Sequence, residues 1–363
     1  MSGLTAFIYH KDYLKYFFGK DHPFQPIREK ITLDLLRSLG VFLDPKAKVF
    51  RPKLAKEKDL LLVHTKRYVE FVKERSRKGF GFLDYGDTPA TRGIYKGACI
   101  RVGGTLLGAD LIMKGKVKHA FNPGGGLHHA LPDKAAGFCV FNDIAIAVRY
   151  LQRNYNVKKV AVVDIDGHHA DGTQIIFYSE PILKISFHRK GIFPGTGEIN
   201  EIGEGNGSGY SVNIPLPEGT FDEAYLHAFR KIVPPLIKAY SPEIIITQFG
   251  VDAHFQDPLV GLALTTKAYQ EIARIMHELA HKVCDGKLLI VGGGGYNIEN
   301  TARCWAVMFI NISGVKINGK KYEELLDKTQ PKKTGEILKK VKEITKEVKN
   351  LIFPFHGIAG FYG

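Results

Sequence analysis

The stretch KVAVVDIDGHHADG, residues 159–172, joins a short apolar run to a loop of Asp, Gly and His. A continuous run of Val and other apolar residues of this length is typical of a parallel strand that is buried on both faces. Similar runs recur along the chain and alternate with longer segments of helical period. The sequence therefore predicts an α/β fold with an open parallel sheet. The predicted strands are 117–121, 159–164, 182–187, 244–249 and 288–291.

The chain is long enough for one large domain. Its 363 residues are 44% hydrophobic and include 23 Phe and 16 Tyr, so it can bury a sizeable core. Neither an internal repeat nor a low-complexity linker divides it. We therefore expect a single domain over residues 1–363, with helices on both faces of the sheet. The predicted helices are 143–152, 221–239, which Pro234-Pro235 should end or kink, and 267–284.

The loops after the five predicted strands carry nearly all of the unusual polar residues. In open parallel sheets, ligands bind outside the carboxyl ends of the strands, so these loops are expected to form one site. In chain order they read FNPGGGLHH, DIDGHHADG, SFHRKGIFPGTG, QFGVDAHFQDP and VGGGGY. The glycine-rich turns match neither common phosphate-binding motif, which argues against a nucleotide site.

Asp164, Asp166 and His168 alternate at the end of one predicted strand, so their side chains begin on one face. Carboxylate oxygens and a neutral imidazole suit a divalent ion, and catalytic zinc commonly has three protein ligands. Asp252, which follows another strand directly, is the best candidate for the remaining ligand beside Asp166 and His168. A helix cap, a turn or a calcium-type loop is the alternative interpretation of the Asp-x-Asp-x-His pattern.

His128 and His129 are adjacent and follow three glycines. Two neighbouring imidazoles are costly to bury in an apolar core, whereas a pair of bases near an activated water has a clear chemical use. Asp164 and Asp171 could each bind the far nitrogen of one imidazole and fix its tautomer. Tyr296 follows four glycines and has a phenol that could donate to an oxyanion, although such a tyrosine is more often a loop anchor.

The net charge and the hydropathy of the chain indicate which kinds of partner it could bind. The net charge of +14 means that an anionic partner has to be considered. Part of the excess lies in a basic C-terminal helical tail at about 316–352, which we expect to pack on the domain; contact with nucleic acid is the weaker alternative. The sequence shows no targeting segment and no apolar run long enough for a membrane span, so a cytoplasmic protein without membrane contact is expected. The apolar stripe of the tail comprises Ile337, Val341, Ile344, Val348 and Leu351.

Ordered motifs along most of the chain carry a family resemblance. From about His22-Pro23 to Trp305, the chain resembles the zinc-dependent histone deacetylase family, in the class I-like branch that includes acetoin-utilisation-type prokaryotic proteins. The resemblance implies the arginase/deacetylase fold, with a sheet of about eight strands. The motifs are GGGLHHA, GFCVFND, DIDGHHADGTQ, FPGTGE, GSGYSVNIPL, FGVDAHFQDP and GGGGYNIENTARCW.

The resemblance also implies roles for individual residues. Asp166, His168 and Asp252 match the ligands of a catalytic Zn²⁺, for which Fe²⁺ is an alternative in vivo. His129 would act as the general base, and the phenol of the matching tyrosine would stabilise the oxyanion. The catalytic set is His128 with Asp164, His129 with Asp171, and Tyr296.

Three further groups follow from the same resemblance. Gly137, Phe138 and Phe193 match the walls of a narrow acyl-lysine tunnel, and Asp87 matches the aspartate at its rim that holds the substrate backbone. A structural potassium ion is expected as well. Its site would use carbonyls and side chains around Asp164, Asp166, His168, Ser186 and Phe187.

The function that these residues favour is zinc-dependent amide hydrolysis, which removes acetyl or other acyl groups from the ε-amino group of lysine in proteins or peptides. A small-molecule deacylase of acetylated amines or polyamines is the alternative within the enzyme class. The Gly-Gly-Gly-Leu before the histidine pair is unlike the polyamine branch, and the loop at 186–193 is shorter than in class I relatives, which leaves the choice of peptide open. A binding module with weak catalysis is the third hypothesis.

Overall fold

The computed structural model describes residues 3–359, so the first two and the last four residues of the predicted domain lie outside the description. Within this range, eight strands form one all-parallel sheet in the order β2-β1-β3-β8-β7-β4-β5-β6. The predicted open parallel sheet of about eight strands is confirmed. The strands are β1 Thr5–Ile8, β2 Ala47–Phe50, β3 His119–Asn122, β4 Val160–Asp164, β5 Leu183–Arg189, β6 Ser211–Leu216, β7 Ile244–Gln248 and β8 Leu288–Val291.

Each of the five predicted strands is present, with ends displaced by no more than two residues. The three strands that were not predicted are β1, β2 and β6. Strand β1, with the sequence TAFI, is buried at all four positions, and β2 is an edge strand with an exposed Lys48. Strand β6 contains Asn213 and Pro215, which disfavour a strand assignment; the proline is tolerated because β6 lies at the other edge of the sheet.

Helices connect the strands. Helix α7 continues through Pro234-Pro235 to Tyr240, so the prolines do not end the helix, and a kink stays the other part of that expectation. Buried residues on both sides of them, Val233 and Leu236, hold the helix against the core. No helix within residues 3–359 has the length and apolarity needed to cross a membrane. The helices are α1 Ile27–Ser38, α2 Glu57–Leu60, α3 Lys66–Lys78, α4 Ile94–Met113, α5 Asp143–Tyr155, α6 Asp171–Ile176, α7 Asp222–Tyr240, α8 Thr266–Cys284, α9 Ile298–Ser313, α10 Gly319–Glu323 and α11 Gly335–Ile352.

The sheet separates two apolar cores. In β1, Phe7 belongs to the core that includes residues of α1, α7, α8 and α9, whereas Ala6 and Ile8 belong to the core that includes residues of α3, α4 and α5. Successive side chains of a strand point to opposite faces, so helices cover both faces of the sheet. The sheet edge formed by the carboxyl ends of the strands is left to the loops.

The basic tail contains α10 and α11. Helix α11 packs against α7 and β6. Val341 and Val348 are fully buried in the core, and the other three residues of the predicted stripe are partly buried against it. The apolar face of this helix therefore lies against the protein, while lysines such as Lys342 and Lys346 are exposed.

Val348→Ala is expected to lower the free energy of unfolding by about 1.5 kcal/mol, because it removes two buried methyl groups. Denaturant unfolding of the two proteins measures this difference. Lys346→Ala, at an exposed position two residues away, is the matched control and should change stability by less than about 0.5 kcal/mol. Equal effects of the two substitutions would contradict the packing of α11.

Candidate active site

Loops from five neighbouring strands meet at one edge of the sheet. The five predicted strands correspond to β3, β8, β7, β4 and β5, which are contiguous in the sheet. Asp164 ends β4, and its Cα lies opposite that of Gln248 at the end of β7. The loop with Asp166 and His168 is therefore beside the loop with Asp252. The sequence expectation that strand-end loops converge agrees with this arrangement.

Asp166, His168 and Asp252 form a compact buried cluster. The Nδ1 atom of His168 lies 3.1 Å from Oδ1 of Asp166 and 2.9 Å from Oδ2 of Asp252, and the possible ligand atoms of all three lie within 4.8 Å of one another. Burial, and next the neighbouring Asp166 carboxylate, raise the pKa of Asp252 to about 7. A cation between the two carboxylates would offset this repulsion, and two carboxylates with one imidazole suit Zn²⁺ or Fe²⁺. The cluster therefore fits a divalent metal ion.

Groups around the cluster fix its two carboxylates. Oδ2 of Asp166 accepts hydrogen bonds from Nε2 of Gln248 and from the backbone N–H of Gly294, both at 2.7 Å. Oδ1 of Asp252 accepts from the backbone N–H of Gly167, also at 2.7 Å. Such contacts orient ligands before a metal binds. A Cβ atom at Gly294 would lie 2.2 Å from Oδ2 of Asp252, so only glycine lets the backbone approach this closely.

His128 and His129 each have a carboxylate partner. Nδ1 of His128 is 2.8 Å from Oδ2 of Asp164, and Nδ1 of His129 is 2.6 Å from Oδ1 of Asp171. The Nε2 atoms of the two rings lie 3.0 Å apart, and Nε2 of His128 is 3.9 Å from Oδ1 of Asp166. The two histidine–carboxylate pairs therefore adjoin the metal cluster.

The two imidazoles differ in protonation. Burial favours the neutral form of His128, but Asp164 and then Asp166 outweigh it and raise its pKa to about 9. Burial, followed by the charge on His128, lowers the pKa of His129 to about 4. These opposite shifts favour the neutral form of His129, which can accept a proton, and the cationic form of His128.

Tyr296 follows β8 at the same edge. Its backbone N–H donates to Oδ2 of Asp257 at 2.8 Å, and the guanidinium of Arg28 donates to the carbonyls of Gly293 and Gly295 at 2.6 and 2.7 Å. Burial, and next the charge of Asp252, raise the pKa of the Tyr296 phenol well above its usual value. The phenol thus keeps its proton and can act as a hydrogen-bond donor.

Phe138 and Phe193 stand on two sides of the cluster. The ring of Phe193 lies 5.0 Å from that of His129, and the ring of Phe138 lies 5.9 Å from that of Tyr296. A Cβ atom at Gly137 would lie 2.5 Å from Cδ2 of His129 and 2.7 Å from Cε1 of Phe193. Phe193 is 44% exposed, so this aromatic wall opens to solvent.

Asp87 lies in an exposed loop on the Phe138 side. The hydroxyl of Thr88 donates to Oδ1 of Asp87 at 2.9 Å and accepts from the backbone N–H of Phe138 at 3.1 Å. Asp87 therefore sits beside the opening near Phe138, where a rim residue would be.

The residues predicted to hold potassium lie along β4, the loop that follows it and β5. The Cα atom of Ser186 is the register partner of that of Asp164. Ser186 Oγ lies 3.1 Å from Nδ1 of His188, and the side chain of Phe187 is part of the apolar core. The potassium ion stays a prediction.

Several residues that shape the site were not predicted. Gln248 ends a strand at the same edge, so the strand-end signal that identified Asp252 also applied to it. Asp143 accepts hydrogen bonds from the backbone N–H groups of Gly126 and Leu127, which fixes the loop before the histidine pair. Arg28 is distant in sequence from the carbonyls that it binds, and no local pattern of the sequence indicates that contact.

A parallel eight-stranded sheet with an aspartate–histidine cluster at the carboxyl ends of its strands is the arrangement of the arginase/deacetylase fold. The chain belongs to the histone deacetylase family: the model of the histone deacetylase domain matches residues 22–312. This match includes every site residue described above.

Similar proteins include bacterial relatives and a solved structure. The chain is 42% identical to the acetoin utilization protein AcuC of Bacillus subtilis over 325 residues, which cover 86% of this chain and 82% of that protein. It is 38% identical to AcuC of Staphylococcus xylosus, with coverages of 91% and 88%. The crystal structure of the HDA15 HD domain matches with a TM-score of 0.82 and 28% identity over 96% of both chains. The chain is thus an AcuC-like deacetylase-family hydrolase.

Proposed function

We propose that this protein is a metal-dependent lysine deacylase, most simply a deacetylase, that uses Zn²⁺ or Fe²⁺. The observation that carries the proposal is the buried cluster of Asp166, His168 and Asp252 directly beside two histidine–carboxylate pairs. Three protein ligands leave a coordination position for water or substrate. A metal ion held there would polarise the acyl carbonyl and lower the pKa of the attacking water.

The surrounding side chains would carry out the proton transfers. His129, neutral and oriented by Asp171, takes the proton of the attacking water and later gives it to the departing amine. His128, cationic beside Asp164, adds positive charge near the reacting centre. The protonated phenol of Tyr296 donates a hydrogen bond to the oxyanion of the tetrahedral intermediate.

The substrate chemistry follows from the walls of the opening. The rings of Phe138 and Phe193, with Gly137 between Phe193 and His129, suit a narrow unbranched methylene chain such as that of acyl-lysine. The Asp87 carboxylate beside the opening is a suitable acceptor for backbone N–H groups of a peptide. These features favour a protein or peptide substrate over a free acetylated amine.

Potassium is proposed as a second, structural ion near Asp164 and Ser186, where the two strands that carry these residues are paired. Nucleic-acid contact through the tail is not favoured by its apolar stripe, which is buried against α7 and the core. Among its exposed lysines, Lys340 is paired with Glu336.

Hydrolysis of an acetyl-lysine peptide should fall about 100-fold or more after chelation and return on addition of Zn²⁺ or Fe²⁺, since a loss of a few kcal/mol of stabilisation has this effect on rate. Circular dichroism of the stripped protein checks that it stays folded. Acetylated diamines, assayed in parallel, should have the lower kcat/KM. Activity that survives complete metal removal would refute the mechanism, and a preference for diamines would assign the small-molecule alternative.

A further inference from the structure

Three histidines lie together at the edge of the sheet opposite the candidate active site. His119 begins β3, whose other end leads to the histidine pair. His277 and His281 are four residues apart on α8, so they lie on one face of that helix. His119 alternates with Phe121, which packs in the core that α8 covers, and its side chain therefore points towards α8.

The three rings are in mutual contact. Ring centroids are 4.8 Å apart for His119 and His277, 5.1 Å for His119 and His281, and 4.6 Å for His277 and His281. One nitrogen from each ring can be chosen so that all three lie within 4.8 Å of one another. This spacing is compatible with three ligands of one tetrahedral ion.

Buried nitrogens of the cluster have no hydrogen-bond partner. The side chain of His119 is 1% exposed, and neither of its ring nitrogens makes a hydrogen bond; the backbone of Gly286 is near but lacks the geometry. The Nδ1 atom of His277 is buried and unpaired as well. Unpaired buried polar atoms destabilise a fold, so a ligand bound between these nitrogens would relieve that cost.

The charges around the cluster permit a cation. The charge of Lys118 acts on His119 and His281, and its Nζ atom is paired with Oδ2 of Asp285 at 2.6 Å. His277 and His281 are partly exposed, which gives an ion a path from solvent.

We propose that His119, His277 and His281 form a further metal site, separate from the catalytic cluster and from the proposed potassium site, which binds one transition-metal ion of the Zn²⁺, Co²⁺, Ni²⁺ type through three imidazoles, with water as a further ligand. Imidazole ligands select these ions over Mg²⁺ or Ca²⁺. The ion would connect α8 to the amino-terminal end of β3, whereas the catalytic cluster lies at the edge formed by the carboxyl ends of the strands. Its function is structural: it stabilises the folded chain without taking part in hydrolysis.

The test compares the Zn²⁺ content of the full chain with that of His277→Ala/His281→Ala after stripping, reloading and desalting. The wild type is expected to hold one more Zn²⁺ per chain than the double variant, whatever the occupancy of the catalytic cluster. His227→Ala, a histidine on α7 outside the cluster, is the matched control and should retain the wild-type content. Equal Zn²⁺ contents of wild type and double variant would overturn the proposal, and ordered water would then account for the unpaired nitrogens.

A variant that lacks two catalytic metal ligands allows metal binding at the histidine site to be measured alone. Asp166→Asn/Asp252→Asn should still bind one Zn²⁺, and Zn²⁺ but not Mg²⁺ should raise its melting temperature. Adding His277→Ala and His281→Ala should remove both effects, whereas adding His227→Ala should not. If the Asp166→Asn/Asp252→Asn protein does not fold, His281→Ala alone in the wild-type chain replaces it, and an unchanged Zn²⁺ affinity of the second equivalent would count against the site.

Discussion

Asp252→Asn is expected to lower kcat/KM for an acetyl-lysine peptide by about 1,000-fold or more and to release the catalytic metal. Asparagine keeps the shape of the side chain and an oxygen that can accept from the Gly167 N–H, but it removes the negative charge that binds the cation. A loss of roughly 4 kcal/mol of electrostatic stabilisation corresponds to this change in rate. Steady-state kinetics and metal analysis of the same sample measure the two effects.

The matched control is Asp34→Asn, the same substitution at an exposed position of α1 that is paired with Lys30. It should leave both rate and metal content unchanged. The thermal unfolding of the Asp252→Asn protein shows whether it is folded. A folded Asp252→Asn protein with more than a tenth of wild-type activity would contradict the assignment of Asp252 as a ligand.

His129→Ala is expected to lower kcat by about 10²- to 10⁴-fold, the range typical for the loss of a general base. The reason is that His129 is the neutral member of the pair and is held by Asp171. His128→Ala should have a smaller effect, since the cationic His128 contributes charge and does not accept the proton. The measurement is single-turnover hydrolysis with metal content determined in parallel.

Metal content separates the role of His129 from an indirect effect on the cluster. The His129→Ala protein should bind as much metal as the wild type, because His129 is not one of the three ligand residues. Addition of free imidazole should restore part of the rate. If His128→Ala proves the more damaging substitution, the two roles are exchanged.

The parts of the site that could be predicted from the sequence are those that lie a few residues after a predicted strand. Asp166 and His168 follow one strand by two and four residues, and Asp252 follows another by four, so the rule that strand ends converge brings them together. The five predicted strands are short and largely buried, and β4, β7 and β8 are also predominantly apolar. His128 and His129 could be identified from the sequence because two adjacent imidazoles are unusual in an apolar core.

Contacts over long sequence distances were not predictable in the same way. Arg28 reaches the carbonyls beside Tyr296 across more than 260 residues, and neither position has a pattern that indicates the other. The edge strands β2 and β6 are specified by their neighbours more than by their own composition. Helix α7 passes through two prolines because packing on both sides of them outweighs the local loss of hydrogen bonds.

The glycines around the cluster have a consequence for attempts to alter the enzyme. At Gly250 and Gly294, a Cβ atom would lie within 2.3 Å of a carboxylate oxygen of Asp166 or Asp252, and at Gly137 it would collide with His129. The interior of the site is thus shaped by bare main chain and tolerates no added atoms. Variation that changes which acyl group is accepted is expected at the mouth, where Phe193 is half-exposed and its ring lies near those of His129 and His168. Laboratory evolution of acyl-group specificity would therefore be most productive at the entrance of the site and least productive beside the metal cluster.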